Sequence, residues 1–408
     1  MRKINPHDFK IATRSTSREI NRRIALNLVR EHQPISRADL ARRMNVRRGV
    51  VSLLVNELIR EGLIYEGATG ESPRGRKPTF LHVRTQDRLV VAVDIRFSRT
   101  YLMLTDFSGR QIALEIFETI FAPAELITDL AERVKRLLKT HKAVSGCEGI
   151  GVVVPGMVDY PTGRVVKAPT LGWKDVEIRD ALARATGLPV HVENAAKACA
   201  LAQMWLGRND AISAHNFAYV SVSDGVGVGL VINGELVRGH DSVAGEFGHT
   251  PLSIDGPRCM CGATGCWEAY VSNIATLARY FGRDLSKIVP KAVLEADGAA
   301  FTIGDLIARA LSGDARARDC IQVTARYLGL GLATLVNAVN PARIYIGGEI
   351  TAVWDMIEKT VRAALAERAI TETAAATPIH VAAAVEYPRL RGAAAVVSAP
   401  TFAAPRVA

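Results

Sequence analysis

The chain has 408 residues, enough for two or three folding units, and its 49% hydrophobic and 23% charged residues are an ordinary soluble globular composition. No apolar run approaches the roughly 20 residues that span a bilayer, so we expect a cytoplasmic protein with no signal peptide and no membrane partner. All of the net charge of +10 lies in residues 1–85, which hold 18 Lys and Arg against 8 Asp and Glu, as expected if this segment alone meets a polyanion.

Three helical patterns follow one another within residues 17–61. The first has an apolar face at helical spacing, formed by Ile20, Ile24, Ala25 and Leu28. The second begins at Ser36, a natural N-cap residue, and Asp39 stands where a capping box needs an acceptor. The third carries the stripe of a core-facing helix, formed by Val51, Leu54, Val55, Leu58 and Ile59.

The third helix has polar and basic residues opposite its apolar stripe, namely Arg47, Arg48, Ser52 and Asn56. Three short helices of this kind match the helix-turn-helix plan. The residues that follow alternate around a Gly/Pro/Arg-rich tip and predict a two-stranded wing, whose candidate DNA contacts are Arg74, Arg76 and Lys77. Residues 1–85 are thus predicted to be a winged helix-turn-helix that binds a double-stranded DNA operator. The alternatives are a three-helix protein-binding module and a solvated basic tail.

From residue 88 the pattern changes to short strands alternating with helices. Three consecutive strands and a helix near 123–141 are followed by a buried strand, CEGIGVVVPG, and a second round begins at NFAYVSVSDGVGVGLV. Two successive β-β-β-α modules predict an α/β body of two lobes with a cleft between them. The predicted lobes are residues 86–197, joined by the C-terminal return 385–408, and residues 198–384.

Four soft metal ligands are clustered within eighteen residues: His249, Cys259, Cys261 and Cys266. Zinc prefers four such ligands in a tetrahedron, and a closed site of this kind is structural rather than catalytic. Gly262 and Gly265 allow the tight turn that brings the cysteines to one ion. The sequence therefore predicts a zinc cofactor, with a group of free buried cysteines as the alternative. The isolated residues Cys147, Cys199 and Cys320 are expected to be small buried hydrophobes.

Four segments of the body resemble the ROK family, which groups bacterial sugar repressors with sugar kinases: VVVPGMVDYPTGRVVKAPTLGW, AGEFGHTPL, CMCGATGCWEAY and NPARIYIGGEI. The resemblance covers residues 88 to about 395. It implies a two-lobed, actin-like (ribonuclease-H-like) fold with a zinc ion at the His/Cys motif. The N-terminal segment resembles the winged helix of the xylose-repressor and N-acetylglucosamine-repressor branch, except that Val50 and Leu53 stand where such helices commonly carry Thr and Arg.

The resemblance also implies a sugar pocket in the body. Its residues in this sequence are Gly156, Asn194, Glu246, His249 and Glu268. Carboxylates and amides suit this role because they hold paired sugar hydroxyls with two hydrogen bonds at once. His249 is expected to bind zinc through one ring nitrogen and a sugar hydroxyl through the other.

Three departures from the family's kinases predict that phosphoryl transfer is lost. Ala195 stands where the resemblance places the catalytic Asp that takes the proton of the sugar hydroxyl. The first phosphate loop carries Arg96 and Phe97 in place of its glycines, and the second carries Asp224, whose charge would face phosphates. We therefore expect no enzymatic activity.

Together these patterns predict a transcription regulator, acting as a repressor of carbohydrate-utilisation genes under the control of a sugar or sugar derivative. Half-site recognition by winged helices favours a homodimer or a dimer of dimers. Two other functions stay open at this point. One is a sugar kinase with an appended DNA-binding domain, and the other is a regulator that answers to a protein partner.

Overall fold

A computed structural model of the chain describes residues 14–69, 79–142, 146–206, 215–284, 295–296, 299–382 and 386–403. They form an α/β protein, which is the predicted fold class. The chain divides into two units. Unit 1 comprises residues 1–89, 106–108 and 398–408, and unit 2 comprises residues 90–105 and 109–397. Among the described helices, none has the length and apolar character that a membrane span requires.

Unit 1 is built from three helices and a small sheet. The helices are α1 (Arg14–His32), α2 (Arg37–Met44) and α3 (Arg48–Arg60). The sheet has the order β1-β3-β2, formed by β1 (Ile35–Ser36), β2 (Ile64–Thr69) and β3 (Thr79–Val83). The antiparallel pair β2/β3, with Ile64 opposite Val83, is the predicted two-stranded wing. Its tip, with Arg74, Arg76 and Lys77, lies outside the described residues.

Local hydrogen bonds explain where α2 begins and ends. The Ser36 hydroxyl oxygen accepts the backbone N–H of Asp39 at 3.1 Å and donates to the Asp39 carboxylate at 2.6 Å, so the predicted N-cap is confirmed. Asn45 ends the helix in the left-handed region, with φ 52°. The reversal at Asn45 leads directly into α3.

The core of unit 1 tests the predicted helix faces. In α3, Val51, Leu54, Val55 and Leu58 are buried as predicted, while Ile59 is half-buried. The face predicted for α1 is only partly right, because Ala25 is buried but Ile24 is 44% exposed and Ile20 and Leu28 are half-buried. The buried residues of α1 are Ala25, Leu26 and Val29. Both faces of α1 carry apolar residues at helical spacing, so periodicity alone did not identify the one that packs against α3.

The first half of unit 2 contains a five-stranded sheet of order β11-β7-β4-β5-β6 and a three-stranded sheet of order β10-β9-β8. Their strands are β4 (Leu89–Ile95), β5 (Arg99–Asp106), β6 (Gln111–Glu118), β7 (Cys147–Val154), β8 (Met157–Asp159), β9 (Arg164–Ala168), β10 (Trp173–Val176) and β11 (Val190–Asn194). The helices of this half are α4 (Pro123–Thr140), α5 (Ile178–Thr186) and α6 (Ala195–Leu206).

The second half of unit 2 contains a five-stranded sheet of order β14-β13-β12-β17-β18 and a two-stranded ribbon, β15/β16. Their strands are β12 (Phe217–Val222), β13 (Val226–Ile232), β14 (Glu235–Leu236), β15 (Glu295–Ala296), β16 (Ala299–Ala300), β17 (Arg343–Gly348) and β18 (Ile379–Val381). The helices are α7 (Glu268–Val271), α8 (Asn273–Phe281), α9 (Ile303–Ser312), α10 (Ala315–Val339), α11 (Trp354–Arg368) and α12 (Glu372–Ala375). The last helix of the chain, α13 (Pro388–Phe402), packs against β7 and α6 of the first half, and its residues from 398 onward are counted in unit 1.

The two five-stranded sheets share one strand order. In each, three consecutive strands lie side by side, and two later strands extend the sheet beyond the first of them. This repeat is the duplication that the sequence predicted. Strand β11 runs parallel to β7, and β17 runs parallel to β12, so neighbouring strands deliver their C-terminal residues to one edge of each sheet. Ligands of α/β proteins bind at such edges.

Trp267 and Gly331 lie in close contact in the second half of unit 2. Trp267 is buried, and its ring lies against Gly331 in the middle of α10. A Cβ atom at position 331 would lie 2.0 Å from the ring, so the helix needs a glycine at this point. Trp267 directly precedes α7, and its burial therefore anchors the segment that carries the clustered cysteines.

Candidate functional site

The predicted metal ligands lie together in unit 2. The ligand atoms of His249, Cys259, Cys261 and Cys266 all lie within 4.8 Å of one another. The Sγ atoms of Cys261 and Cys266 are 3.7 Å apart, and Cys259 Sγ is 3.7 Å from His249 Nδ1. A tetrahedral ion with metal–sulfur bonds of about 2.3 Å has sulfur–sulfur edges of about 3.8 Å. The four residues therefore fit a single tetrahedral ion.

The backbone brings the cysteines together through a short irregular hairpin. Gly262 and Gly265 both have positive φ, 102° and 69°, and a Cβ at Gly265 would lie 1.5 Å from the Ser253 carbonyl oxygen. Burial raises the pKa of the Cys259 thiol, and burial also raises the pKa of Cys266 to about 11. Thiolates in this position therefore need a compensating cation, which a divalent metal ion supplies.

His249 connects the cysteine cluster to Glu246. Its Nδ1 faces Cys259, and its Nε2 lies 3.8 Å from the Glu246 carboxylate. Both residues belong to a short 3-10 turn, Phe247–His249, and its N-cap. Burial raises the pKa of Glu246, although the charges of His249 and Lys197 act in the opposite direction. A metal ion on Nδ1 would leave Nε2 directed at Glu246, as the two-sided role predicted for His249 requires.

Glu268 has partners on two sides. One carboxylate oxygen accepts the backbone N–H of Val226 at 2.9 Å, and the other lies 3.4 Å from Cys259 Sγ. A Cβ at Gly225 would lie 2.5 Å from the same carboxylate, so a glycine is needed for this approach. Glu268 is therefore already hydrogen-bonded, and it joins the cysteine cluster to the loop between β12 and β13.

Asn194 is the last residue of β11, and its side chain shapes the next element. The amide oxygen accepts the backbone N–H groups of Ala196 and Lys197 at 2.9 and 3.2 Å, and thereby caps α6. The amide nitrogen donates to the Gly156 carbonyl oxygen at 2.8 Å. Both lone pairs and one N–H are therefore in use, and one N–H remains for a ligand. The expectation that this amide makes two hydrogen bonds to a sugar does not fit the geometry.

Gly156 lies beside Asn194 because β7 and β11 are parallel neighbours. Val154, the last residue of β7, is opposite Asn194 in the register, and Gly156 follows two residues later. Gly156 has φ 123°, and a Cβ there would lie 2.4 Å from the Lys167 carbonyl oxygen. The glycine therefore allows the chain to pass close to β9 and to present its carbonyl group to Asn194.

Sequence reasoning missed Lys197, which is only 2% exposed. Its Nζ donates to the Ser242 carbonyl oxygen at 2.6 Å. Burial lowers the pKa of Lys197, while the carboxylates of Glu193 and Glu246 act to raise it. Glu193 is itself buried and pairs with Arg238 at 2.9 Å. These contacts anchor the segment that leads to Glu246 onto α6, next to Asn194. The only sequence signal was a lysine inside an otherwise apolar helix.

A second cluster lies where the sequence predicted a blocked phosphate loop. Arg96 Nε lies 2.6 Å from Asp94, and Arg96 Nη1 lies 2.7 Å from Glu349, which follows β17. Asp94 also contacts Arg389 at 2.8 Å, and Glu349 accepts from Asn273 at 2.9 Å. Burial disfavours the charged guanidinium, but Asp94 and Glu349 outweigh it and raise the pKa of Arg96. A balanced set of four charges therefore fills this position.

Little free space remains around these charges. The cavity there has a volume of about 100 Å³, and its lining includes Arg96, Ser223, Glu349 and Arg389. Asp224 lies in the neighbouring loop, and burial together with the charge of Glu349 raises the pKa of Asp224 to about 6. The charged side chains beside this cavity are thus carboxylates and guanidinium groups that are already paired with one another.

The DNA-contact residues predicted in α3 differ in their availability. Arg47 and Arg48 are exposed at the start of the helix, and Asn56 is exposed further along it. The Ser52 hydroxyl donates to the Arg48 carbonyl oxygen at 3.0 Å. Arg37, which sequence reasoning missed, donates to the Asn56 amide oxygen at 2.9 Å and to the Ser52 carbonyl oxygen at 3.3 Å. The two arginines are therefore the most available polar side chains of the predicted set.

Comparisons with known proteins agree with this architecture. A sequence profile described as the ROK family matches residues 90–399. The xylose repressor of Caldicellulosiruptor bescii is 30% identical over 362 residues, which cover 86% of this chain and 88% of that protein. The solved structure of a ROK family transcriptional regulator, a homologue of the E. coli MLC protein, gives a TM-score of 0.77 at 25% identity and covers 95% of this chain and 97% of that chain.

A kinase is also among the similar structures. A ROK family glucokinase from Streptomyces griseus, solved in complex with glucose and AMPPNP, gives a TM-score of 0.62 at 28% identity. The match covers 98% of the glucokinase but 75% of this chain, whereas the regulator's match covers 95%.

Proposed function

Because the chain belongs to the ROK family, we propose that it is a DNA-binding transcription regulator, a repressor of carbohydrate-utilisation genes whose affinity for DNA is controlled by a sugar or sugar derivative. Two comparisons support this proposal. A named xylose repressor is similar over 86% of the chain, and a regulator structure is similar over 95%. The protein would be cytoplasmic and would bind its operator as a homodimer or a dimer of dimers.

The observation that carries the DNA-binding part is the exposed N-terminal end of α3. Arg47 and Arg48 are exposed there, and Arg42 and Arg43 are exposed at the end of α2. In a helix-turn-helix the first residues of the second helix approach the base edges, while cations beside them meet phosphates. The wing residues Arg74, Arg76 and Lys77 are proposed to add phosphate contacts.

The sugar is proposed to bind in unit 2 near Asn194 and Glu246. Asn194 offers one N–H, Glu246 offers carboxylate oxygens, and His249 offers Nε2. Gly156 holds Asn194 in place, and Glu268 is proposed to accept one sugar hydroxyl while it keeps its backbone partner. The contact between Lys197 and Ser242 supports the segment that carries Glu246. A ligand that binds these side chains would therefore hold β11, α6 and the 3-10 turn in one arrangement.

We infer that zinc is the metal of the His249 cluster. Three thiolates and one imidazole are ligands that zinc prefers, and four protein ligands leave no open position for a reacting water. Zinc would supply the positive charge that the buried thiolates need, and it would fix the ring of His249. Its proposed role is therefore structural, and it keeps the sugar-facing side of His249 in position.

Phosphoryl transfer is not proposed for this chain. Ala195 is buried directly after Asn194 and has no group that could take a proton. In the loop that the resemblance predicts to bind phosphates, charged side chains are paired with one another, and phosphate groups would instead need backbone N–H donors there. These side chains are Asp94, Arg96, Glu349 and Arg389. The similarity to a glucokinase keeps the kinase with an appended DNA-binding domain as the second candidate, and regulation by a protein partner as the third.

One experiment tests whether a sugar controls DNA binding, and it separates the proposed function from regulation by a protein partner alone. Operator sequences are selected from a random duplex pool with the full-length protein, and the operator Kd is then measured with and without each member of a sugar panel. A sugar at 100 times its Kd adds about 2.7 kcal/mol of stability, so a thermal shift identifies the ligand. We expect that ligand to change the operator Kd about 5- to 150-fold.

The matched variants are Glu246→Gln and Glu358→Gln. Glu246→Gln should keep sugar-free DNA binding and lose the response, because the carboxylate that accepts sugar hydroxyls is gone. Glu358 pairs with Arg362 on the surface of α11, and its replacement should leave both properties unchanged. A sugar that binds tightly but leaves the operator Kd unchanged would contradict the proposed control, and a protein that enriches no sequence would contradict the regulator function itself.

A further inference from the structure

The outward face of α3 and the turn before it carry apolar side chains that no core covers. Val46 is 36% exposed, Val50 is 43% exposed and Leu53 is 65% exposed. Val50 and Leu53 are three positions apart and therefore share one exposed face of the helix, which borders the buried face of Val51 and Leu54. We call Val46, Val50 and Leu53 the apolar strip. Exposed apolar side chains that are grouped in this way indicate a binding surface rather than solvated positions.

Positive charge surrounds the apolar strip. Arg42, Arg43, Arg47 and Arg48 are all exposed beside it. The acidic residue in the last turns of α3, Glu57, is instead paired with Arg18 of α1. A protein partner with an apolar face would have to accommodate four arginines around the contact. A DNA duplex offers phosphates at both sides of the major groove and apolar groups on its floor, so its chemistry matches both parts of this surface.

The polar side chains on the adjoining exposed part of α3, Ser52 and Asn56, are largely occupied by contacts within unit 1. The Ser52 hydroxyl donates to the Arg48 carbonyl oxygen, and the Asn56 amide oxygen accepts from Arg37. Among the described residues, no hydrogen bond or ion pair engages the side chain of Arg48. The groups left to meet base edges are therefore Arg48 and the apolar strip. On the floor of the major groove the apolar group of a base is the C5-methyl of thymine.

We propose that Val50 and Leu53 contact thymine methyl groups, so that each operator half-site carries thymines opposite this part of α3. The inference rests on the proposed DNA-binding function and adds the class of base that the helix recognises. Arg48 would provide the hydrogen-bonding part of the same recognition, and Val46 would border the contact at the entrance to the helix. Specificity at these positions would then come from shape and apolar contact rather than from side-chain hydrogen bonds.

Replacement of thymine by uracil tests this directly, because it removes the methyl group and keeps every hydrogen-bonding atom of the base edge. The full-length protein is titrated at one salt concentration with its selected operator and with the same duplex containing deoxyuridine. We expect binding to weaken about fourfold for each contacted methyl group, as the loss of one buried methyl-sized group implies. Single-position replacements then locate the contacted thymines.

Two variants complete the experiment. Leu53→Ala should bind the thymine duplex about as weakly as wild type binds the uracil duplex, and it should lose most of its discrimination between the two. Ile254→Ala is the matched control, since Ile254 is an 81% exposed apolar residue in unit 2, and it should behave as wild type. Both replaced side chains are exposed, so neither change disturbs the core.

Several results would overturn the inference. Equal Kd values of wild type for the two duplexes would do so and would leave the regulator function standing. The inference would also be overturned if both Val50→Ala and Leu53→Ala still bound the thymine duplex more tightly than the uracil duplex. The methyl groups would then act through DNA shape. A loss of self-association in Leu53→Ala with unchanged discrimination would assign the strip to a contact between copies of the chain. A selection that enriches no sequence would remove both the inference and the function on which it rests.

Discussion

Glu268 accepts the backbone N–H of Val226 with one carboxylate oxygen, while its other oxygen lies 3.4 Å from Cys259 Sγ. One side chain therefore links the cysteine cluster to the loop between β12 and β13. Loss of the metal would leave three thiols, two of them buried, to rearrange, and Glu268 would pass that change to the backbone of this loop. The proposed zinc is thus expected to stabilise more than its own hairpin.

Elemental analysis should find one zinc ion per chain in untagged protein, and Cys261→Ser should lose it. The variant should also unfold at a lower temperature, because a structural site contributes folding free energy directly. Cys147→Ser is the control, since Cys147 is a half-buried thiol outside the cluster, and it should retain the metal. A metal-free preparation with unchanged stability and sugar response would refute the structural role.

Incubation of the protein with ATP, magnesium and a broad sugar panel should release no ADP above background. The variant Ala195→Asp restores a carboxylate next to Asn194, yet it too should release none. We expect this because Arg96 and its ion-pair partners would still fill the loop that the family resemblance predicts to hold phosphates. Turnover by wild type would overturn the non-enzymatic assignment, and turnover by Ala195→Asp would show that the ion-pair cluster does not block the site.

The raised pKa of Asp224 predicts that the stability of the protein depends on pH. Its pKa in the folded protein is raised from 3.8 to about 6, mainly by burial and then by the charge of Glu349. The folded state therefore holds this proton more tightly than the unfolded state. The resulting contribution to the free energy of unfolding is fully present below about pH 4, and it is lost as the pH rises through about 6. Asp224→Asn should accordingly raise the melting temperature at pH 7.5 and change it little at pH 4. An equal effect at both pH values would contradict the raised pKa.

Removal of Arg96 should be strongly destabilising. Arg96→Ala leaves Asp94 with Arg389 alone and Glu349 with Asn273 alone, and breaking a buried ion pair in this way costs about 3–5 kcal/mol. Arg164→Ala is the matched control, because the Arg164–Asp175 pair is exposed and such pairs contribute about 0–1 kcal/mol. Denaturant unfolding measures both free energies, and equal losses would show that the cluster is not a buried network.

DNA binding should weaken steeply as salt increases, because neutralised phosphates release counterions. Replacement of Arg76 and Lys77 by alanine should lower affinity for many sequences alike, and it should reduce the slope of log K against log salt by about one unit for each phosphate that is no longer neutralised. Arg48→Ala should instead relax sequence preference, as expected for a side chain that reaches a base edge. Arg326→Ala, an exposed change in unit 2, serves as the control. A fragment without residues 1–85 that binds the operator equally well would show that DNA binding lies elsewhere.

Much of the fold could be predicted from the sequence because its signals are local. The three strands before α4 alternate or run apolar over seven or eight residues, and the Ser36 cap and the α3 stripe depend on neighbours in the chain. The clustering of His249 with three cysteines was predictable for the same reason, since all four lie close in sequence.

The features that the sequence did not predict depend mainly on contacts between segments that are distant in the chain. Asn194 donates to the distant Gly156 carbonyl, and Glu268 accepts from the distant backbone N–H of Val226. The sequence indicated that these side chains lie close together but not that their hydrogen bonds are largely used. The sequence did not reveal the roles of Lys197 and Arg37, because those roles come from contacts with Ser242 and with Asn56 and Ser52. The α1 face was misassigned because tertiary packing chose between two apolar faces.

The pairing of Arg96 with Asp94 and Glu349 has an evolutionary consequence. A glycine at position 96 would open space in the loop, but as a single change it would remove one cationic partner from both Asp94 and Glu349. Arg389 and Asp224 would also have to change before that space could accept phosphates. A series of single substitutions that begins at Arg96 would therefore first produce a less stable protein. The ion-pair cluster would therefore oppose the stepwise gain of a phosphate-binding loop at this position.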